Sequence, residues 1–131
     1  MGIRKELEGA FDYDIVDEFL DHFDIMTEAM EPAIIALENE AVREERINEL
    51  FRIFHNIKSA TGFLKIGRIH LLAELAEDMM ERLRSAPDDV DDRVIDWLLL
   101  VSDQMRAWYD QIATDAEALS DTDPKILEMP E

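Results

Sequence analysis

The chain has 131 residues, 47% of them hydrophobic and 34% charged, and its 32 acidic and 13 basic side chains give a net charge of −19. That length and composition suit one folded unit with a real core rather than a disordered chain. The absence of cysteine excludes disulfide scaffolds and Cys-ligated zinc or iron–sulfur centres. The negative charge opposes binding to phosphate backbones and anionic lipid, which leaves proteins, metals or small cations as partners.

The opening stretch, MGIRKELEGAFDYD, lacks the apolar run of a signal peptide. No later segment reaches the roughly 18 apolar residues that span a bilayer; the longest apolar run, Trp97 to Val101, reads as core. A cytoplasmic protein is the expectation. From about Tyr13 to Glu40, Ile15, Phe19, Phe23 (or His22), Met26 and Met30 recur every three or four residues, followed by Ile34 and Leu37, which predicts a helix. Pro32 interrupts it, and the missing backbone donor predicts a kink or a restart there.

A second helix is predicted from about Glu45 to Leu64, with Ile47, Leu50, Phe54, Ile57, Thr61 and Leu64 on one stripe. After a turn at Lys65–Gly67, a third runs from Arg68 to Ser85 with Ile69, Leu72, Ala76, Met79 or Met80, and Leu83 inward. The acids of Ala86–Asp89 (APDD) suit the start of another helix. This fourth helix spans about Val90 to Ala118, with Val94, Trp97 or Leu98, Val101, Met105, Trp108 or Tyr109, and Ile112 inward. Four amphipathic helices with short connections predict an all-α, antiparallel up-and-down four-helix bundle over residues 1–119. Residues 120–131, with DTDP and MPE, read as a tail, a frayed end or the start of an interdomain linker.

His55, in FRIFHNIKSATG, lies one residue beyond the core position Phe54, about 100° around the helix, at the edge of the stripe or in solvent. On its own face lie Arg52, Lys58, Ser59 and Gly62, two basic and two small. From Leu50 to Ala73 there is no Asp or Glu, while Arg52, Lys58, Lys65 and Arg68 are present. A positive island around an exposed imidazole is suited to a phosphoryl group or to an acidic partner. The plainer readings are a packed or solvated histidine, an acid-free stretch because the helix is buried, and small residues that serve helix packing.

Other constellations are weaker. A carboxylate-bridged di-metal bundle needs Glu-x-x-His pairs, but Phe19, Arg52 and Gly67 stand three residues before His22, His55 and His70, so no metal site is expected. Met26, Met30, Met79, Met80 and Met105 fall at helical spacing and read as core rather than as a peptide groove. The carboxylates of Asp88–Asp92 and Asp115–Asp123 have no EF-hand form. Neither a P-loop nor a kinase glycine-rich loop is present, so the chain has no evident nucleotide site.

The run HNIKSATGFLKIGRIHLLAELAE resembles the histidine-containing phosphotransfer (Hpt) domain, whose signature is His-x-x-Lys-Gly, and within that family the N-terminal phosphotransfer domains of CheA-type chemotaxis kinases. The likeness extends over roughly residues 12–112. It implies that His55 is phosphorylated, that Lys58 helps neutralise the phosphoryl oxygens, and that Glu77 hydrogen-bonds one nitrogen of the ring. It further implies a docking face of Arg52, Asn56, Ser59, Gly62, Phe63 and Leu64, with Gly62 leaving room for a partner. The chain departs from the family pattern at Ser59 and Lys65, where glycine is usual, and at Glu74, where a second histidine is common.

By this resemblance the chain carries phosphate from a histidine kinase (or a receiver) to a receiver-domain aspartate in two-component signalling. It holds no cofactor; ATP and Mg²⁺ belong to the partners. It is either free-standing or the substrate domain of a larger kinase. The alternative is a phosphorylation-independent module that docks a kinase or receiver through the face near Arg52, Phe63 and Leu64. Without a sustained apolar surface stripe, a monomer is expected.

Overall fold

The computed structural model describes residues 2–130, and every described element is helical. Helix α1 covers Ile3–Ala10, α2 Tyr13–Ile35, α3 Arg43–Phe63, α4 Gly67–Ser85 and α5 Asp92–Ala113, with 3₁₀ turns at Ala36–Glu38, Pro87–Asp89 and Pro124–Leu127. Helices α3 and α4 form the most extensive pairing, α2 packs on α5 and α3, and α4 meets α5.

The inward faces follow the apolar period with one phase error. In α2 the buried residues include Val16, Phe19, Leu20, Phe23, Met30 and Ile34, whereas Ile15 is exposed. The true stripe starts one residue later than predicted, and His22 faces solvent. Pro32 neither breaks nor restarts α2: the helix continues to Ile35 and tightens into the 3₁₀ turn that follows. The missing donor costs one bond, to the Glu28 carbonyl, and only three helical residues follow Pro32. In α3, Leu50, Phe54, Ile57 and Thr61 are buried, and Met30, Met79, Met80 and Met105 all lie in the core.

Helix starts and stops have local causes. The Asp91 carboxylate accepts from Val94 N at 3.0 Å and so caps α5, whereas the predicted starting acids, Asp88 and Asp89, lie in the 3₁₀ turn before it. Helix α3 ends in a Schellman motif: Ile66 N donates to Thr61 O (2.9 Å) and Lys65 N to Gly62 O (3.3 Å). Lys65 there takes φ 59, the left-handed conformation that glycine adopts without a Cβ penalty. Helix α5 stops at Ala113, short of the predicted Ala118, through the same device: Asp115 has φ 57 and Ala116 N reaches Gln111 O at 2.8 Å.

Two segments at the chain ends differ from the sequence expectation. Helix α1, which periodicity did not reveal, is tied down by Ile3 N donating to Ala116 O (2.8 Å) and Lys5 N to Asp115 Oδ1 (3.2 Å). The tail is not frayed over its described part. It runs back along α5: Ser120 O accepts from Trp108 Nε1 (2.9 Å), Asp123 N donates to Gln104 Oε1 (2.8 Å), and Ile126 O accepts from Trp97 Nε1 (2.7 Å). Ile126 is fully buried. Both indole N–H groups, which need partners once buried, find them in this tail.

Candidate functional site

Helix α3 turns Phe54 and Ile57 fully inward. His55 and Lys58, each one residue further on, are therefore left on the flank facing α4, where they are 53% and 28% exposed at the side chain. On α4, Ala73 and Ala76 are fully buried, and their small side chains let the two helices approach. Glu77, next in sequence, reaches across the gap with only 12% of its side chain exposed.

Its two oxygens serve two donors. Glu77 Oε2 lies 2.7 Å from His55 Nδ1, and Oε1 lies 2.8 Å from Lys58 Nζ. Burial pushes the Glu77 carboxyl up, but the hydrogen bonds from Lys58 and His55 outweigh it, and the net result is a lowered pKa. The hydrogen bond to Glu77 holds the Lys58 ammonium above its ordinary value. An ionised carboxylate only accepts. Nδ1 therefore carries a proton, and in the neutral ring the lone pair is on Nε2, the nitrogen turned away from Glu77.

Residues that sequence reasoning missed complete the surroundings. The Phe51 ring lies nearly parallel to that of His55, with centroids 6.2 Å apart and planes at 10°. The Arg84 guanidinium stands 4.5 Å from the Phe51 centroid. On the other side, His70 Nδ1 is 2.9 Å from Lys58 O. Phe51 and Arg84 carried no motif, and His70 entered only as a histidine lacking the Glu-x-x-His spacing of a metal site.

Folding thins the positive island: Lys58 and Arg68 gain acidic partners, while Arg52 and Lys65 stay exposed. Helix α4 brings Glu77, Glu74 and Asp78 near Lys58. Arg68 is drawn to the tail, where it donates to Leu119 O (2.6 Å) and Ser120 O (3.1 Å) and pairs with Asp121 (3.4 Å). An acid-free window in sequence says nothing about the helix packed against it. Of the expected docking residues, Arg52, Asn56, Ser59, Gly62 and Phe63 are exposed, and Phe63 contacts Phe11 at 5.4 Å between centroids. Leu64, 3% exposed, belongs to the core and cannot line a docking face. A Cβ at Gly62 would lie 3.2 Å from His70 Nδ1 and Cε1, so this glycine makes room inside the molecule for a ring.

A family model described as "Hpt domain" matches residues 14–120. The chain belongs to the Hpt domain family. The Hpt match takes in α2 to α5 and leaves out α1 and the last part of the tail. Over 94 residues the chain is 24% identical to "Chemotaxis protein CheA" of Treponema pallidum (strain Nichols), covering 72% of this chain and 12% of that protein. Over 93 residues it is 26% identical to "Sensor histidine kinase CheAY" of Helicobacter pylori (strain ATCC 700392 / 26695), covering 71% and 12%. The chain thus spans about an eighth of the length of these curated relatives. No solved structure matches it. Among the described residues no helix is long and apolar enough to cross a membrane.

Proposed function

We propose that this Hpt domain relays a phosphoryl group through Nε2 of His55, from a histidine kinase to the aspartate of a receiver domain. The observation that carries the reading is the Glu77 bridge: one carboxylate fixes the Nδ1–H tautomer of His55 and also holds Lys58, with the nucleophilic nitrogen turned away from Glu77. In loading, Nε2 attacks phosphorus, the Nε2–P bond forms as the donor's P–O bond breaks, and ADP leaves with the electron pair. The ring becomes cationic and Glu77 balances that charge through Nδ1–H. Lys58, in reach of the same flank, offsets charge on the phosphoryl oxygens. In unloading, the receiver's carboxylate attacks phosphorus and the ring departs as neutral imidazole.

The same reading takes α2 to α5 as an antiparallel up-and-down bundle, supported by their pairwise packing. It assigns ATP and Mg²⁺ to the partners, puts the protein in the cytoplasm as a monomer, and makes Arg52, Asn56, Ser59, Gly62 and Phe63 the docking face. The similarity to CheA and CheAY favours the substrate domain of a larger kinase.

Incubation with a histidine-kinase catalytic domain and γ-labelled ATP tests the proposal. With Mg²⁺ present throughout, acid-labile label is expected on the wild type and none on His55→Gln, and the label should pass to a receiver domain once that domain is added. Label retained on a folded His55→Gln protein would sink the assignment.

A further inference from the structure

The scheme above leaves His70 unused, although it joins the same two helices. Three polar links cross from α3 to α4 beside the site: Glu77 to the His55 ring (2.7 Å), Glu77 to the Lys58 ammonium (2.8 Å), and His70 Nδ1 to the Lys58 carbonyl (2.9 Å). Glu77 and His70 are seven residues apart on α4, two turns along one face. Glu77 therefore holds the side chain of Lys58 while His70 holds its backbone. A carbonyl only accepts, so His70 donates from Nδ1.

The space for this contact is specific. Gly62 sits one turn beyond Lys58 on α3, and a Cβ there would press on His70 Nδ1 and Cε1 at 3.2 Å. The connection between the helices is tight, closed by Ile66 N to Thr61 O (2.9 Å) and His70 N to Ile66 O (3.0 Å), so the start of α4 follows the end of α3. Nothing else among the described residues hydrogen-bonds across from α4 to the α3 backbone at the site.

We propose that His70 is a positioning residue, seated on Gly62, that holds the Lys58 backbone in the register at which Glu77 reaches both His55 and Lys58. The inference rests on the phosphotransfer reading of His55 and gives Gly62 a second reason besides clearance for a partner. A slip of the α3–α4 register by a fraction of an ångström lengthens both Glu77 hydrogen bonds together, and misplacement on the order of 1 Å costs rate steeply.

The test needs no partner protein. Phosphoramidate loads a histidine directly: Nε2–P forms, the donor's P–N bond breaks, and ammonia leaves. With the full chain, His70→Ala is expected to slow loading at saturating phosphoramidate by about tenfold. His70→Asn, whose amide nitrogen occupies the place of Nδ1, should restore the rate, whereas His70→Gln, which mimics the other ring nitrogen, should not. Gly62→Ala should slow loading as well, and Gly62→Ala/His70→Ala should be no slower than the worse single variant, since both act on one contact. Additive losses, or no loss in His70→Ala, would overturn the proposal. Should His70→Ala fail to fold, the contrast between His70→Asn and His70→Gln decides, and equal rates in those two count against it.

Nitrogen chemical shifts of the His55 ring separate the two claims. They should move in His70→Gln and return in His70→Asn whether or not the ring takes phosphate. A folded wild type that takes no label defeats the phosphotransfer reading, while His55 shifts that ignore every His70 variant defeat the positioning role.

Discussion

Glu77 accepts from His55 through one oxygen and from Lys58 through the other, so replacing the carboxylate by an amide cannot keep both bonds. In Glu77→Gln the amide must turn its NH₂ either to Lys58, donor against donor, or to His55 Nδ1, which then has to accept. The second choice moves the ring proton to Nε2 and removes the nucleophile. Loading of Glu77→Gln is expected to fall by at least about tenfold, with helical content unchanged. The pH dependence of folding follows from the same carboxylate. Its folded pKa lies below the ordinary 4.5, so across that window the unfolded chain binds more protons and stability rises with pH. The contribution is fully present above the unfolded value and is lost as pH falls through the lowered folded one. Denaturant unfolding across the acid range should show this slope in the wild type and a shallower one in Glu77→Gln. Of the site, His55 and Lys58 were legible from local spacing. Glu77 was reached only through the family resemblance, because its partners stand 22 and 19 residues away and helical periodicity does not extend across a turn.

The elements repeat that division between local and distant causes. Four long helices were legible because each buries a continuous stripe, and their connections carried turn chemistry. Helix α1 was not legible: of its eight residues only Leu7 is buried, and its anchors are backbone and side-chain groups of Ala116 and Asp115, far along the chain. The tail looked like a linker because DTDP and MPE are linker-like in composition, yet the carbonyls of Ser120 and Ile126 satisfy Trp108 and Trp97. Nothing in a local window reports that an indole on another helix lacks an acceptor. The packing gives a sharp expectation. Ile126 is fully buried, so Ile126→Ala should destabilise the protein by about 2–4 kcal/mol in urea unfolding, the cost of a core truncation. A change within about 0.5 kcal/mol, the surface norm, would mean that this segment does not pack in solution. The turn after α3 shows the opposite case, where a residue was noticed without its consequence: Lys65 holds the φ 59 of a Schellman motif, which explains why glycine is usual there.

Across the whole molecule the net charge of −19 competes with the few cations beside His55. Lys58 shares Glu77, with Glu74 and Asp78 near it, and Arg84 pairs with Glu81 at 3.3 Å, so of these cations the exposed Arg52 is left to face an incoming anion. The range of the opposing field depends on salt. At about 10 mM ionic strength the Debye length is about 30 Å, so an approaching donor feels much of the acidic body; at about 0.15 M it is about 8 Å, and only the immediate neighbours of the ring count. Donor and protein are both negative, so screening should favour their encounter. The second-order rate of His55 loading by phosphoramidate is therefore expected to rise with sodium chloride from about 10 mM and to level off near about 0.15 M. The rate at saturating donor, which no longer includes the encounter, should stay flat. A second-order rate that falls with salt would show that Lys58, Arg52 and Arg84 outweigh the rest of the molecule at the ring. The cations around the ring would then outweigh the acids of α4 at the distance where chemistry happens.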